Sequence, residues 1–556
     1  MNRLVGCVTN ILPSLRHEQH SILLRFLGNL RLLVMRFASC EAVIRGAGRY
    51  LHEKHSILLF FLGNLRLLVM RFASCEAVIR GAGIGGSSRS VGRILAPATR
   101  LLPFRRLHNS RPHASRLHTS LPVLVTAIAM TGCMTHMVRL QPVRTAFQRG
   151  DVAEADRLIA LELEQQGSEE DLLLLDRAMV TLADGRPADA ERMLRRVRDS
   201  FDHLEAESPA EDAWSMLSDD GARAYHGEDY EKVLVRAMLA ISNLVQDGDD
   251  AEAYSLQIAE KQRSIVAAAA QPDGTNPKAA YQQVPLAPYL RGVIREETHR
   301  DYDDAARHFQ QLVDWQPDFG PGRGHLARAV GGSHSRRGHG VVHVFALVGH
   351  GPFKAEVEEM PTSTSLLIAD QLLSTQLGTT LPPTVAPIKV PRIVAAPGAA
   401  GSVQVAIGDW AAGQTETITD VSQMAVGQCE ALRPYCLARA VARRTTKKGT
   451  IYGFKQGLGM REGLPSLALD VAGIAWEASE SADTRCWSLL PDRIQVLRLE
   501  LPVGSHTLLL RPLDRQGQPL GQTVPQTITV ADGRNSYLLL QATDAGLVGH
   551  PLTNSP

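Results

Sequence analysis

The phrase Gly150-Asp151-Val152-Ala153-Glu154-Ala155 returns as Gly185-Arg186-Pro187-Ala188-Asp189-Ala190, as Gly248-Asp249-Asp250-Ala251-Glu252-Ala253 and as Arg300-Asp301-Tyr302-Asp303-Asp304-Ala305. Each copy reads as the turn between two paired helices. Glycine takes the left-handed conformation that ends one helix, aspartate caps the next, and alanine lets neighbouring helices approach closely. After the fourth copy Ala305, Phe309, Leu312 and Val313 fall on one helical face, and Pro317 ends the helix beyond Trp315. The pattern predicts helices near 141–149, 151–166, 170–183, 187–200, 208–224, 228–246, 249–268, 286–299 and 302–315. An all-α segment over 138–320 is therefore expected.

After this segment the hydrophobic period drops from about 3.6 to about 2. Leu497, Leu499 and Leu501 alternate with Arg498 and Glu500, the mark of a sheet with one wet face. Strands are expected at 341–348, 353–358, 387–395, 402–408, 494–501, 506–512, 526–530 and 536–541, separated by Pro/Gly turns. Helices at 364–377 and 421–444 interrupt them. The glycine-rich 321–340 reads as a mobile linker and 546–556 as a tail. The expected fold class is α+β multidomain: a helical-hairpin array, then a β-rich, sandwich-like domain over 341–545 carrying two helices.

The helix-turn phrases resemble the second half of a tetratricopeptide repeat. The first two copies lie 35 residues apart, close to that family's period, whereas the later spacings of 63 and 52 do not match it. An unrelated antiparallel bundle is the other reading. Stacked helical hairpins present a surface for protein partners and rarely carry chemistry.

Charge divides the chain. Residues 1–120 hold 18 Lys/Arg and 4 Asp/Glu, and residues 121–556 hold 41 and 54, so a formal charge of +1 conceals a basic and an acidic polypeptide. The acidic larger part excludes nucleic acid as a partner. Residues 17–48 recur at 52–83 with two differences, Gln19 for Lys54 and Arg25 for Phe60. Copies this alike point to recent DNA duplication, so 1–105 reads as an upstream extension outside the true protein, or else as a basic, poorly folded tail.

Arg100, Arg105, Arg106, Arg111 and Arg116 precede the apolar run 121–130 and the sequence Met130-Thr131-Gly132-Cys133. A positive flank, a short apolar segment and small residues form a secretory signal over 106–132. Met130-Thr131-Gly132-Cys133 resembles the bacterial lipobox, where cleavage leaves an acylated cysteine at the new amino terminus. The resemblance implies a palmitate-type anchor on Cys133, and Met134 at the next position implies the outer membrane, facing the periplasm. Two further readings of the segment stand: 117–138 as a plain membrane anchor, and Cys133 as an ordinary buried cysteine.

Beyond Cys133 the cysteines are Cys429, Cys436 and Cys486. Cys429 and Cys436 could pair, but three thiols leave one over, and no zinc spacing exists. His334, His339, His343 and His350 lack acidic or thiol neighbours in sequence, so no metal and no cofactor is expected. Arg439, Arg443, Arg444, Lys447 and Lys448 form a basic helical face, read either as a dock for anionic lipid or glycan or as a solvated helix end complementing the dipole. No phosphate loop, dinucleotide fingerprint, zinc-protease or serine-hydrolase motif occurs. The densest polar-aromatic cluster is Asp483, Arg485 and Trp487 around Cys486; it reads as a pocket lining or as a salt-bridged loop under an indole.

The lipobox, the stretch 225–253 beginning Tyr225-His226-Gly227-Glu228, and the β segments 339–356 and 482–510 together resemble a family of uncharacterised bacterial lipoproteins with repeat-type helices. The resemblance implies an address and a fold, without a mechanism. The expectation is a non-enzymatic envelope lipoprotein, held on the membrane by Cys133, whose helices bind envelope proteins as a scaffold for cell-wall or export machinery. The alternative is an envelope hydrolase or glycan-binding protein using Asp483, Arg485 and Trp487.

Overall fold

The computed structural model describes residues 136–164, 169–207, 224–246, 248–271, 273–377, 387–396, 398–457 and 481–554. The chain divides into two units, Met1–Arg111 and Pro112–Pro556, and every described residue belongs to the second. The duplicated segment, the signal residues Met130, Thr131 and Gly132, Cys133, and the helix expected at 208–224 lie outside the described residues.

The described fold is mixed α+β. It begins with α1 (His136–Arg139), α2 (Gln141–Gln148), α3 (Val152–Glu164), α4 (Glu170–Ala183), α5 (Pro187–Glu207), α6 (Asp229–Leu244), α7 (Ala251–Ala268), α8 (Leu286–Glu297), α9 (Tyr302–Trp315) and α10 (Gly322–Val330). Consecutive helices pack against one another along the series. Gly150, Gly185 and Gly248 hold φ near +80°, as the turn reading requires. The fourth phrase has no glycine, and His299 takes the left-handed conformation instead, at φ 57°. Its ring Nε2 lies 2.7 Å from the Gly533 carbonyl, a contact that offsets the strain.

The expected linker is a correction. Residues 322–330 form α10, because Gly322, His325 and Ala329 make a buried stripe and Leu326 packs beside it. Glycine content suggested mobility, but the i, i+3, i+7 stripe determines the state. Residues 339 onward already belong to the sheet.

There follow β1 (His339–Val348), β2 (Phe353–Glu359), α11 (Ser363–Leu377), β3 (Ile388–Val394), β4 (Ala400–Ile407), β5 (Trp410–Gln414), β6 (Glu416–Asp420), α12 (Val421–Gly457), β7 (Arg493–Pro502), β8 (Gly504–Asp514), β9 (Val524–Val530), β10 (Asn535–Thr543) and β11 (Gly546–Asn554). One sheet runs β11-β10-β1-β7-β6, a second β5-β4-β8-β9, and β2 pairs with β3 alone. β1 pairs parallel with β10, Val344 opposite Leu538, and antiparallel with β7, Val344 opposite Leu497.

The central strand is apolar on both sides for a reason. Val342, Val344, Ala346 and Val348 face Val403, Val405, Leu508 and Leu510 of the second sheet, while Phe345 and Leu347 join the helical core with Leu175, Met179 and Leu239. The period-2 alternation thus separates two cores rather than core from water. A separate helical domain and β domain were expected; instead the sheet closes over the helices and one core serves both.

The expected tail is also a correction: Gly546–Asn554 is edge strand β11. It docks on the helices through Asn554 Nδ2, which donates to the Leu244 carbonyl at 3.1 Å. At Gly549, with φ +67°, an added Cβ would stand 1.9 Å from the Ala183 carbonyl oxygen. Gly549→Ala is therefore expected to cost about 2–4 kcal/mol through backbone displacement and left-handed strain, read as a lowered denaturation midpoint; an unchanged midpoint would show that β11 does not depend on this approach.

β2, β3, α11 and α12 form an arm with its own small core of Ala369, Ile388, Val390, Leu437, Ala438 and Val441. The helix α12 has 37 residues, about 55 Å of length. Among the described residues no helix is long and apolar enough to cross a membrane.

Candidate functional site

Three stretches far apart in sequence meet at one place: 225–231 ahead of α6, the start of β2, and 483–489 ahead of β7. The first is positioned by a capping box. Glu228 caps α6 and the Glu231 side chain returns to the Glu228 N–H at 3.0 Å, which satisfies orphan donors of the first turn. Gly227 precedes it because a Cβ there would overlap the Phe201 ring.

Glu231 is fully buried, and donors surround its carboxylate. The Tyr225 hydroxyl bonds Oε2. Tyr230 Oη donates to Oε1 at 3.1 Å and the Trp487 backbone N–H to Oε1 at 2.7 Å. Burial, with neighbouring Glu228, raises its pKa above the usual carboxylate range, against the pull of Lys354 and these donors.

Lys354 of β2 is buried and bonds Glu228. Burial opposes its charge, but Glu228 and then Asp483 outweigh that and raise its pKa. Beside it Asp483 grips Arg485 at both carboxylate oxygens, 2.9 Å to Nε and 2.8 Å to Nη2, and accepts the Arg485 backbone N–H at 3.0 Å. Burial pushes the Asp483 carboxyl upward, but the Arg485 hydrogen bond and the Lys354 charge bring it down to about 2. The guanidinium also lies 5.5 Å over the Tyr225 ring.

Of the three residues expected to line a pocket, Arg485 and Trp487 are buried and the Asp483 side chain is 17% exposed. The geometry is that of a salt-bridged loop, with the Tyr225 ring against Arg485 and the Trp487 indole in the core shared by helices and sheet. Asp483 is ionised throughout the ordinary pH range, the wrong state for a general acid. The indole Nε1 has no hydrogen-bond partner among the described residues.

Cys486 accepts the Lys354 backbone N–H at 3.4 Å and lies 3.6 Å from Met137 Sδ. Burial pushes its thiol up to about 12, so it stays protonated and unreactive. One turn further, Asp176 of α4 accepts Ser488 Oγ at 2.7 Å and the Leu489 N–H at 2.9 Å; burial raises it to about 6. Tyr225, Glu228, Glu231, Lys354 and Asp176 were not singled out from the sequence. The Glu-x-x-Glu capping box was the available signal for two of them.

The four histidines do not converge. His334 Nε2 meets Asn535 Oδ1 at 2.9 Å, His343 Nδ1 meets Tyr289 Oη at 3.0 Å, and His350 Nε2 lies 3.1 Å from Asp544. His339 stands at the half-buried start of β1, its Nδ1 3.3 Å from the Arg337 carbonyl. The basic run is partly structural: Arg443 is buried, and Arg444 Nη1 donates to the Pro387 carbonyl at 2.7 Å.

Cys429 and Cys436 line one groove between α12 and β3 with Val390, Arg392 and Arg433. Both thiols are free. Seven residues of helix separate their Cα atoms by about 10.5 Å, beyond the roughly 7 Å limit of a disulfide. Both are therefore expected to alkylate in the native, non-reduced protein; a 429–436 disulfide in a peptide map would mean that α12 is broken there.

No protein-family model, no curated protein and no solved structure was found to match this chain.

Proposed function

We propose that the chain is a non-enzymatic envelope lipoprotein, tethered through Cys133, whose tetratricopeptide-like helical array and β-rich part act together as a scaffold for envelope proteins. The observation that supports this reading is the closed charge cluster. Glu228, Glu231, Lys354, Asp483 and Arg485 bond one another and neighbouring backbone groups, so their chemistry goes into fastening helices to sheet. A rigid body whose ionisable groups are consumed internally offers its outer faces for work. The hydrolase or glycan-binding reading draws no support from Asp483, Arg485 and Trp487 in this arrangement.

The test is metabolic labelling with a palmitate analogue, combined with mass spectrometry of the mature amino terminus. The expected result is a labelled protein beginning at Cys133 in the envelope fraction, with the label lost in Cys133→Ser. Cross-linking in intact cells should then capture discrete envelope proteins, and Leu161→Arg and Leu256→Arg, on exposed positions of α3 and α7, should reduce the capture. An unlabelled protein beginning at Met1 in the cytosol would overturn the reading.

A further inference from the structure

Three consecutive helices bring two rows of side chains into register. In the first row Arg295 of α8 lies 3.3 Å from Asp304 of α9 and bonds Glu252 of α7. Neighbouring helices here run antiparallel, so one turn back on α8 is one turn forward on α7 and α9. That step aligns Arg291 with Leu256 and His308 in a second row. Two other contacts fix the same register: the Val284 N–H ahead of α8 donates to Gln262 of α7 at 3.1 Å, and a Cβ on Gly292 would overlap the Phe309 ring.

The first row is complete. Arg295 pairs with Glu252, Asp301 and Asp304, and Asp304 also accepts Arg307 at 2.8 Å. The second row holds two donors and no carboxylate. Arg291 is half-buried and makes no hydrogen bond or ion pair among the described residues; its Nε is buried with no acceptor. Burial lowers its pKa in spite of Asp304 and Glu252. His308 is 8% exposed, and its Nε2 is likewise buried with no acceptor; Asp304, at 3.7 Å, stands beyond hydrogen-bond reach. Burial, then the Arg291 charge, lowers the His308 pKa, so the ring is neutral at pH 7 and Nε2 can donate to an oxygen.

A guanidinium drawn partly out of water without an acceptor weakens a fold. One carboxylate would serve both donors. Leu256, 44% exposed on α7, adds an apolar contact that a bare inorganic anion could not use. Arg291, Arg295 and Arg307 against Glu252, Asp301 and Asp304 leave the two rows near neutrality, so recognition acts at contact rather than at long range.

We propose that Leu256, Arg291 and His308 form the seat on the helical array for a carboxylate of a partner protein, carried on or beside an aliphatic residue. Arg291, which no bond holds, turns to grip both oxygens, His308 Nε2–H donates to one of them, and Leu256 packs on the aliphatic side chain. This names the partner chemistry of the scaffold reading above and rests on that reading for the ligand being a protein.

The test follows the imidazole signals of the histidine-labelled full chain by nuclear magnetic resonance at pH 7.5, with His308 assigned through His308→Gln. Three probes are added at constant ionic strength: N-acetyl-leucine, with a terminal carboxylate; N-acetyl-leucyl-glutamic acid α-amide, with a side-chain carboxylate; and N-acetyl-leucinamide, with none. The expected result is a saturable shift of His308 with the carboxylates and none with the leucinamide, the tighter carboxylate naming the source as a chain terminus or an acidic side chain. Arg291→Gln should bind roughly 10-fold more weakly. It should melt at or above the parent temperature, because it removes a half-buried charge that has no partner. No shift with either carboxylate, an equal shift with the leucinamide, undiminished binding by Arg291→Gln, or a lowered melting temperature of that variant would overturn the proposal. Labelling and cross-linking in cells separate the two readings: a palmitate-labelled envelope protein whose Arg291→Gln variant captures its partners undiminished defeats this seat alone, and an unlabelled cytosolic protein that binds the carboxylates through Arg291 defeats the envelope scaffold alone.

Discussion

Glu231→Ala is expected to destabilise the protein by about 4 kcal/mol or more, a large part of the 5–15 kcal/mol that folded chains usually possess. Four donors converge on this carboxylate: two tyrosine hydroxyls and the N–H groups of Trp487 and Glu228. Alanine leaves them in a water-free interior, where each unmade hydrogen bond costs about 1–3 kcal/mol less whatever relaxation recovers. The loss falls on the contact between helices and sheet, because Trp487 arrives from one side and Tyr225 and Tyr230 from the other. Glu231→Gln keeps the volume and one acceptor oxygen but points an amide at donors, so about 1–2 kcal/mol is expected. Urea denaturation of both variants checks the ranking. A loss under about 1 kcal/mol for Glu231→Ala would show that the cluster does not fasten the two layers.

Acidification from pH 7 to pH 5 is expected to weaken the fold steeply through histidines at the same junction. His325 lies among Tyr289, Phe309 and Phe319 and accepts a hydrogen bond from Arg328 Nη2 at 2.7 Å, so its Nδ1 carries no proton. His343 is buried against Tyr289 and Tyr537. Burial, reinforced by Arg328 and Arg498, holds His325 and His343 well below their usual value. His334, fastened to Asn535, is lowered to about 4, first by burial.

The sign follows from proton counts. In the unfolded chain these rings take up protons near pH 6.5, while in the fold they stay neutral. Below about 6.5 the unfolded state binds more protons and stability falls as pH falls. Asp176, raised to about 6, and Glu231 and Glu296, both raised by burial, act the other way, since the folded state protonates first there. Three histidines set against these partial terms leave a net loss of about 1–3 kcal/mol per pH unit between 6.5 and 5. Further acid adds Glu169 and Asp483, both held at about 2 by their partners, whose contributions disappear below pH 4. Melting temperatures at pH 7.5, 6 and 5 measure the slope. His343→Gln should flatten it by about 1.4 kcal/mol per pH unit; an identical slope would remove His343 from the account.

Much of the local structure was legible in the sequence. The recurrent phrase placed the starts of α3, α5, α7 and α9 because its residues act locally. Glycine turns the chain at 150, 185 and 248, Asp151 caps α3 by accepting the Glu154 N–H at 3.0 Å, and Ala155, Ala190, Ala251 and Ala305 pack fully buried, although Asp250 and Asp301 make no side-chain cap. Alternation placed β1, β7 and β10 for a similar reason, since side chains two apart share a face. β5, β6 and β11 were missed: Trp410-Ala-Ala-Gly-Gln and Gly546-Leu-Val-Gly-His carry glycine within the strand and lack sustained alternation. The candidate site was legible only in part. Asp483 and Arg485, two residues apart, could be read as a pair, whereas Lys354 and Glu228 are 126 residues apart and share no local signal.

By itself the sequence determined where helices begin, which strand faces are apolar, and that a basic run lies on an otherwise acidic chain, because these depend on neighbours within a few residues. Only the tertiary structure decided that residues 322–330 are a helix, that both faces of β1 are cores, and that Glu231 meets Trp487. Burial is a property of what lies on the other side of a surface, and that other side comes from residues beyond the reach of a local pattern: Glu296, 32 positions before Arg328 of α10, and Trp487, 256 positions after Glu231.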